Sequence, residues 1–399
     1  MKGIKLFLSG YGVACAAGLC AKDFWASLVA GNQSGIRRVT ALSGEEFFAA
    51  RIDNKQLSPS TAKFDMRLCR IQELALRQLS PVIQKAIEHF GSNRVAVCVG
   101  SCDNGSEFSY AAHEHFFRTG QFPSGYSLEV QGADYPATFI STKFGLAGPS
   151  LAFSTACSSS AAAIIKAAEL LEANIADAVV TGGVDIASDT VLLGFNSLGA
   201  VSPEITNPFS KNRRGITLGE GAAFFVLSRE DLDGTGISLL GFGESSDAHH
   251  MTSPDPTGEG AAAAMKQALR YAGLEAGDID YLNLHGTGTK ANDAMEAAAV
   301  AKVFGDCLPP ASSTKPITGH TLGAASALEL AACFSAIAEN RTAKTKRLPV
   351  HIWDGVQDES IPQLNLVKTD DSIDKEIHVC MSNSFAFGGS NASLILGSI

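Results

Sequence analysis

No disulfide framework is written into this chain. Its nine cysteines (Cys15, Cys20, Cys69, Cys98, Cys102, Cys157, Cys307, Cys333 and Cys380) are odd in number, and most lie in apolar stretches. That usage points to a reducing compartment and a cytoplasmic protein. Cys98 and Cys102 are the one close pair. No further Cys or His stands near them at ligand spacing, so no metal site is expected. Basic residues are in the minority, 31 against 41 acidic ones in 399, for a net charge of −10. This excludes a general nucleic-acid binder and leaves only local basic patches. Long uncharged apolar runs are missing, with one stretch to check. Lys2 and Lys5 precede an apolar run from Leu6 to Ala21, outwardly like a secretory leader. Ser9-Gly10-Tyr11-Gly12 interrupts that run, and Leu19 before Cys20 is too large for a lipoprotein-type cleavage site. The stretch reads instead as a first core strand, Ile4–Leu8, followed by its turn. No segment is expected to insert into a membrane. Low-complexity tracts are absent too.

What the chain has is core. Hydrophobic residues make up 45% and charged ones 18%, enough for one large or two modest domains. Glycine is abundant at 39 residues, which implies many tight turns. Strands are expected at 94–100, 176–183, 222–228, 237–243, 280–284, 378–381 and 392–396. Helices are expected at 161–174, 260–272, 295–304 and 322–337. The alternation is α/β patterning. The acidic stretch 354–375 reads as a surface excursion. A composition break at Asp231–Gly236 divides the chain into halves, 1–233 and 234–399. Each half runs through strands, a Cys or His turn and a long Ala-rich helix, which suggests a distant internal duplication.

Cys157 stands in Phe153-Ser154-Thr155-Ala156-Cys157-Ser158-Ser159-Ser160, just before a helical pattern. The N-terminus of a helix offers unpaired N–H groups and a positive dipole end, which favour the thiolate. The thiolate is the reactive form of cysteine. His285, in Leu284-His285-Gly286-Thr287-Gly288-Thr289, and His320, in Lys315-Pro316-Ile317-Thr318-Gly319-His320, lie in turns far downstream. A cysteine with two loop histidines suggests a nucleophile with imidazole partners.

Five segments in order extend the pattern: Ser154–Ser159, Ser245–Pro254, His285–Thr289, Lys315–Ala325 and Asn383–Asn391. Over nearly its full length the chain resembles the elongating β-ketoacyl-acyl-carrier-protein synthases of the thiolase superfamily. The resemblance implies a thiolase-like α/β fold, with two similar halves in a layered αβαβα arrangement. It implies an acyltransferase that holds an acyl group on Cys157 and condenses it with malonyl-acyl-carrier-protein. His285 and His320 would stabilise the enolate, and Lys315 would add positive charge. Glu329 would have a positioning role, by hydrogen bonding to Lys315 or to nearby backbone, and the N–H groups of Cys157 and Phe387 would form the oxyanion hole. Phe387 would also be the gate that admits malonyl. Thr287 and Thr289 would bind the phosphopantetheine arm delivered by the acyl carrier protein, with no cofactor resident in the enzyme. Asp103 falls in the segment that lines the acyl pocket across the dimer interface. A homodimer is expected, with a heterodimer of homologous subunits as the alternative.

Lys63, Arg67 and Arg70 are expected on one helix as a basic face for the acidic carrier, with Lys211, Arg213 and Arg214 as a second patch. His249 and His250 match the family motif and read as structural. The departures are Ala386 between the two phenylalanines, Lys290-Ala291-Asn292-Asp293 after the His285 turn, Ser210 and Arg214 where aspartates are common, and Pro316 after the lysine. They lean the pathway from fatty acid synthesis towards polyketide or polyene synthesis. Against the rivals, a degradative thiolase needs a second catalytic cysteine in a C-terminal Cys-x-Gly turn, where this chain has Phe387-Gly388-Gly389. An initiating synthase pairs its cysteine with one His and an Asn. A chain-length-determining partner typically lacks the cysteine. A cysteine hydrolase would not need both histidines and Lys315.

Overall fold

The computed structural model describes residues 5–60, 62–369, 371 and 373–398. Expectations that touch Ile4, Asp370 or Ser372 lie outside the described residues there. Up to Ser228 the order is β1 (Leu6–Cys15), α1 (Ala21–Ala30), β2 (Ile36–Thr40), β3 (Glu46–Ala50), α2 (Arg67–Phe90), β4 (Val95–Gly100), α3 (Ser106–Thr119), α4 (Tyr135–Phe144), β5 (Ser150–Phe153), α5 (Ser159–Glu172), β6 (Ala178–Asp185), α6 (Asp189–Ser197), β7 (Leu218–Gly219) and β8 (Gly221–Ser228). From Ser238 it is β9 (Ser238–Ser246), α7 (Glu259–Ala272), β10 (Tyr281–Asn283), α8 (Lys290–Phe304), β11 (Ala311–Ser312), α9 (Lys315–Thr318), α10 (Ala325–Asn340), β12 (Val379–Phe385) and β13 (Ser390–Gly397).

The main sheet has the strand order β5-β4-β6-β8-β1-β9-β13-β12-β10-β11. Outward from its middle, both sides follow one plan. β1–β8 and β9–β13 are antiparallel, as are β8–β6 and β13–β12. β6–β4 and β12–β10 are parallel, as are β4–β5 and β10–β11. The duplication suggested by the order of motifs is therefore visible in the topology. Among the described residues the two sides pair at Leu6–Leu239 and Phe7–Ser238, and the Leu8 N–H donates to the Ile237 carbonyl at 2.9 Å, so each five-stranded unit is nearly a sheet of its own.

Helix chemistry decides the layers. Nearly all of α10 is apolar or small, and among its 16 residues only Ala338 and Glu339 escape burial. A helix that is apolar all round belongs inside. It packs on β12, β10 and β8, while α5 packs on β4 and β6 and touches β13. These two form the central layer. The outer layers are amphipathic. α2 buries Leu68, Ile71, Ala75, Leu79 and Val82 at helical spacing and covers β1 and β8, and α7 covers β9 and β13. Strand β8 is buried at every residue, the signature of a strand covered on both faces. Each full burial of a phenylalanine such as Phe224 or Phe225 contributes about 1.5–3 kcal/mol. The apolar stretch 322–340, long enough to cross a membrane, is 89% buried in this central layer.

One local expectation fails. Ser9-Gly10-Tyr11-Gly12 is not a turn, because β1 continues through it. The register slips between Leu8 and Tyr11, and Gly10 takes φ 84. A bulge uses the same residue type as a turn and keeps the strand going. Gly12 is needed for a close approach, since a Cβ there would lie 2.0 Å from the carbonyl oxygen of Ala75 in α2.

Candidate active site

The two units present matching turns to each other. After β5, Ala156 adopts φ 51 and opens a short 3-10 turn, residues 156–158, that carries Cys157 into α5. After β11 and α9, Leu322 adopts φ 52 and opens the turn 322–324, two residues beyond His320, into α10. The turns pack against each other. Left-handed backbone at a non-glycine residue costs about 1–3 kcal/mol and persists where its surroundings over-determine it. At the first turn Ser159 does this, accepting from the N–H of Thr155 at 2.9 Å and donating to the Ala156 carbonyl at 2.6 Å.

His320 Nε2 lies 3.0 Å from the Cys157 sulfur. The N–H of Leu322 donates to His320 Nδ1 at 3.3 Å, so the ring hydrogen sits on Nε2 and faces the sulfur. The His285 ring is 5.4 Å from that of His320, edge to face. Lys315 Nζ stands 3.4 Å from His285 Nδ1 and donates to the His285 carbonyl and to Glu329. An ammonium only donates, so His285 also carries its hydrogen on Nε2. Burial, reinforced by the Lys315 charge, holds both imidazoles well below the usual histidine range. They are neutral donors. Burial raises Glu329 to about 7, against the pull of Lys315.

The thiol departs from expectation. Burial pushes Cys157 up to about 11, although the Lys315 charge and the Phe387 N–H pull it down. Loss of water outweighs those two pulls, so the resting group is a thiol. The sulfur and one nitrogen of each histidine fall within 4.8 Å of one another, a spacing that could hold a metal ion. The Lys315 ammonium beside His285 opposes a cation there.

A cavity of about 250 Å3 opens over these groups, lined among others by Cys157, His285, His320, Thr287, Thr289 and Phe387. The Thr287 and Thr289 hydroxyls are 3.0 Å apart. The ring of Phe387 stacks on Phe195 at 5.9 Å. Gly388 and Gly389 follow at φ 83 and 75, whereas Ala386 is extended at φ −99. Its extra methyl therefore meets no backbone strain.

Other expected residues sit elsewhere. Asp103 is not in the cavity wall. Its buried carboxylate accepts from the Tyr135 hydroxyl at 2.7 Å, the Gly105 N–H at 2.8 Å and the Ser106 hydroxyl at 2.6 Å. Lys63, Arg67 and Arg70 do not share a helix. Lys63 lies in a separate 3-10 turn before α2 and pairs with Glu129, and Arg70 pairs with Asp65. Arg67 points inward to Glu220, which is fully buried. A buried acid needs a cation, and the basic face is lost to it. In the second patch Arg213 is likewise buried on Asp358, leaving Lys211 and Arg214 exposed. His250 accepts from the Thr252 N–H within a local turn.

Glu296 was not singled out by sequence. From α8 it accepts the N–H groups of His285 and Gly286, both at 2.7 Å, and so fixes the His285 turn. Its signal was an acid on the apolar side of an Ala-rich helix, between Met295 and Ala297. Burial raises it to about 8, against those two donors.

Residues 7–232 match the model of the β-ketoacyl synthase N-terminal domain, and residues 237–348 match that of the C-terminal domain. The chain is 33% identical over 428 residues to 3-oxoacyl-[acyl-carrier-protein] synthase 2 of Coxiella burnetii, covering 100% of both. It is 40% identical over 265 residues to nodulation protein E of Rhizobium meliloti, covering 64% of this chain and 63% of that one. It superposes with TM-score 0.90 and 37% identity, over 98% of both chains, on a chain from the complex of ketosynthase ApeO with its chain length factor ApeC from Xenorhabdus doucetiae. The chain belongs to the β-ketoacyl synthase family, acyltransferases of thiolase-like fold.

Proposed function

We propose that the site catalyses decarboxylative Claisen condensation between an acyl group held on Cys157 and malonyl-acyl-carrier-protein. The observation that carries this reading is the pairing of one buried thiol with two neutral Nε2–H donors backed by Lys315. In the first step the sulfur attacks the incoming thioester carbonyl. The C–S bond to the pantetheine thiol breaks, and that thiol leaves with the proton Cys157 gives up. The thiolate is the attacking form, and with the thiol pushed up to about 11 only its ionised fraction reacts. The N–H groups of Cys157 and Phe387 serve the tetrahedral oxyanion.

In the second step the malonyl carboxylate leaves as CO2, and its bonding pair becomes an enolate. The enolate oxygen accepts hydrogens from His285 and His320 Nε2. Because neutral imidazoles donate here, the enolate keeps its nucleophilicity. Its carbon attacks the acyl carbonyl, the C–S bond to Cys157 breaks, and the thiolate regains a proton from water. Thr287 and Thr289 hold the phosphopantetheine arm, and Phe387 swings off Phe195 to admit malonyl.

The acyl carrier protein is the partner. Lys63 and Arg70 stay at the surface in ion pairs of the kind worth about 0–1 kcal/mol, which carrier carboxylates can replace, and Lys211 and Arg214 add two exposed charges. The enzyme works in the cytoplasm as a homodimer, or paired with a homologous chain-length subunit as in the ApeO–ApeC complex. The halves divide near 233/234, and the pathway is polyketide or polyene elongation. Incubation with acyl and malonyl carrier proteins should give β-ketoacyl carrier protein and one CO2 per new C–C bond. Release of free acid without C–C bond formation contradicts the reading.

A further inference from the structure

Asp185 ends β6 deep in the protein, 1% exposed, and takes no part in the chemistry above. Its Oδ2 accepts two backbone amides from different loops, Cys102 at 2.8 Å and Gly323 at 2.7 Å. Each loop leads to one member of the reacting pair. Gly323 follows Leu322, the left-handed residue whose N–H holds His320 Nδ1. Cys102 donates its Sγ–H at 3.3 Å to the carbonyl of Ala156, the left-handed residue before Cys157. One oxygen therefore stands between the two strained turns that aim the nucleophile and its imidazole. The junction is tight: a Cβ on Gly323 would lie 2.8 Å from Oδ2 and 2.9 Å from the Cys102 nitrogen. Two amide groups brought this close to one oxygen share it as their acceptor.

We infer that Asp185 is a positioning residue for the condensation: it holds the turns of the two units in register so that His320 Nε2 meets the Cys157 sulfur. The role belongs to the oxygen rather than the charge. Burial and the nearby Asp103 raise this carboxyl to about 7, so a neutral acceptor of the same shape suits the site.

The inference rests on the condensing reaction proposed above, and its test separates the two. Wild type, Asp185→Asn and Asp185→Ala are assayed with acyl and malonyl carrier proteins, each variant first checked for folding by circular dichroism. Asp185→Asn keeps an acceptor oxygen and should retain kcat within about threefold, whereas Asp185→Ala frees both turns and should lose about 100-fold in kcat. KM for malonyl carrier protein should stay within about twofold, because Thr287, Thr289 and the docking surface are untouched. If Asp185→Ala does not fold, Asp185→Ser, whose oxygen is too short to reach both amides, replaces it with the same expectation. Wild-type kcat in Ala or Ser overturns the inference. So does Asn failing as badly as Ala, or a raised KM at unchanged kcat. A wild-type enzyme that forms no C–C bond refutes the condensing reading itself.

Discussion

Lys315→Met keeps the reach of the side chain and removes its charge. Lys315 is 1% exposed and Glu329 2%, and their ion pair is the innermost of the site. The substitution strands Glu329, and removing one partner of a buried pair costs about 3–5 kcal/mol. The sign of its pH dependence follows from Glu329. With Lys315 present that carboxyl is already raised from 4.5 to about 7, and Lys315 is what pulls it down. Without the lysine it rises further. An acid with a raised folded pKa binds its proton more tightly when folded. Stability is therefore full below the unfolded value and is lost as pH rises through the folded one. The deficit relative to wild type should be small at about pH 5 and clear at about pH 9, because it opens only above the wild-type value of about 7 and grows by about 1.4 kcal/mol per pH unit. Adding Glu329→Leu removes the stranded acid, and an apolar pair in place of a buried ion pair is neutral or stabilising by about 1–4 kcal/mol. The double variant should recover most of the lost stability. It should not recover activity, because His285 Nδ1 has lost the donor that fixes its tautomer. Loss of such support for an oxyanion costs about 100-fold to 1000-fold in kcat. Urea unfolding at both pH values, with CO2 release from malonyl carrier protein, measures both quantities. Activity that returns together with stability would refute the catalytic assignment of Lys315, and a deficit independent of pH would refute the reasoning on Glu329.

Alkylation of Cys157 by iodoacetamide should accelerate with pH up to a midpoint near 11; a plateau by about pH 7 would mean that a resting thiolate survives burial. Ala386→Gly should leave the condensation rate within about twofold, since Ala386 is extended and needs no glycine; a tenfold gain in steady-state turnover would show that the methyl restrains the gate. Arg67→Ala should destabilise the fold by about 3 kcal/mol in urea, because buried Glu220 keeps only the Ile52 N–H and the longer contact to Arg51 at 3.9 Å, with KM for the carrier protein unchanged. Unchanged stability with a raised KM would return Arg67 to the docking surface.

The chemistry of this site is local in sequence and was readable there. Cys157 and His285 each stand in a short turn between a strand and a helix, Lys315 opens α9 and His320 stands between α9 and α10, and in each case the neighbouring residues carry the motif. The alternation of apolar strands with Ala-rich helices declared the α/β class, and α10 declared its burial by having almost no polar face. What sequence hid depends on distance. The pull on Arg67 comes from Glu220, 153 positions away, and no helical spacing can show that a basic face is already neutralised. Asp103 was readable as polar, but only the fold brings Tyr135 to it. The bulge at Ser9–Gly12 uses turn residues to keep a strand going. Cys157 shows the same limit in energy: position at a helix start was legible, while the burial that pushes the thiol up was not.

Intact-protein mass spectrometry of wild type and Cys157→Ala after incubation with acyl carrier proteins tests the central claim most directly. The account predicts an acyl adduct on wild type alone, discharged as β-ketoacyl carrier protein when malonyl carrier protein is added. An adduct that persists in Cys157→Ala, or one on wild type that malonyl carrier protein leaves in place, would contradict it.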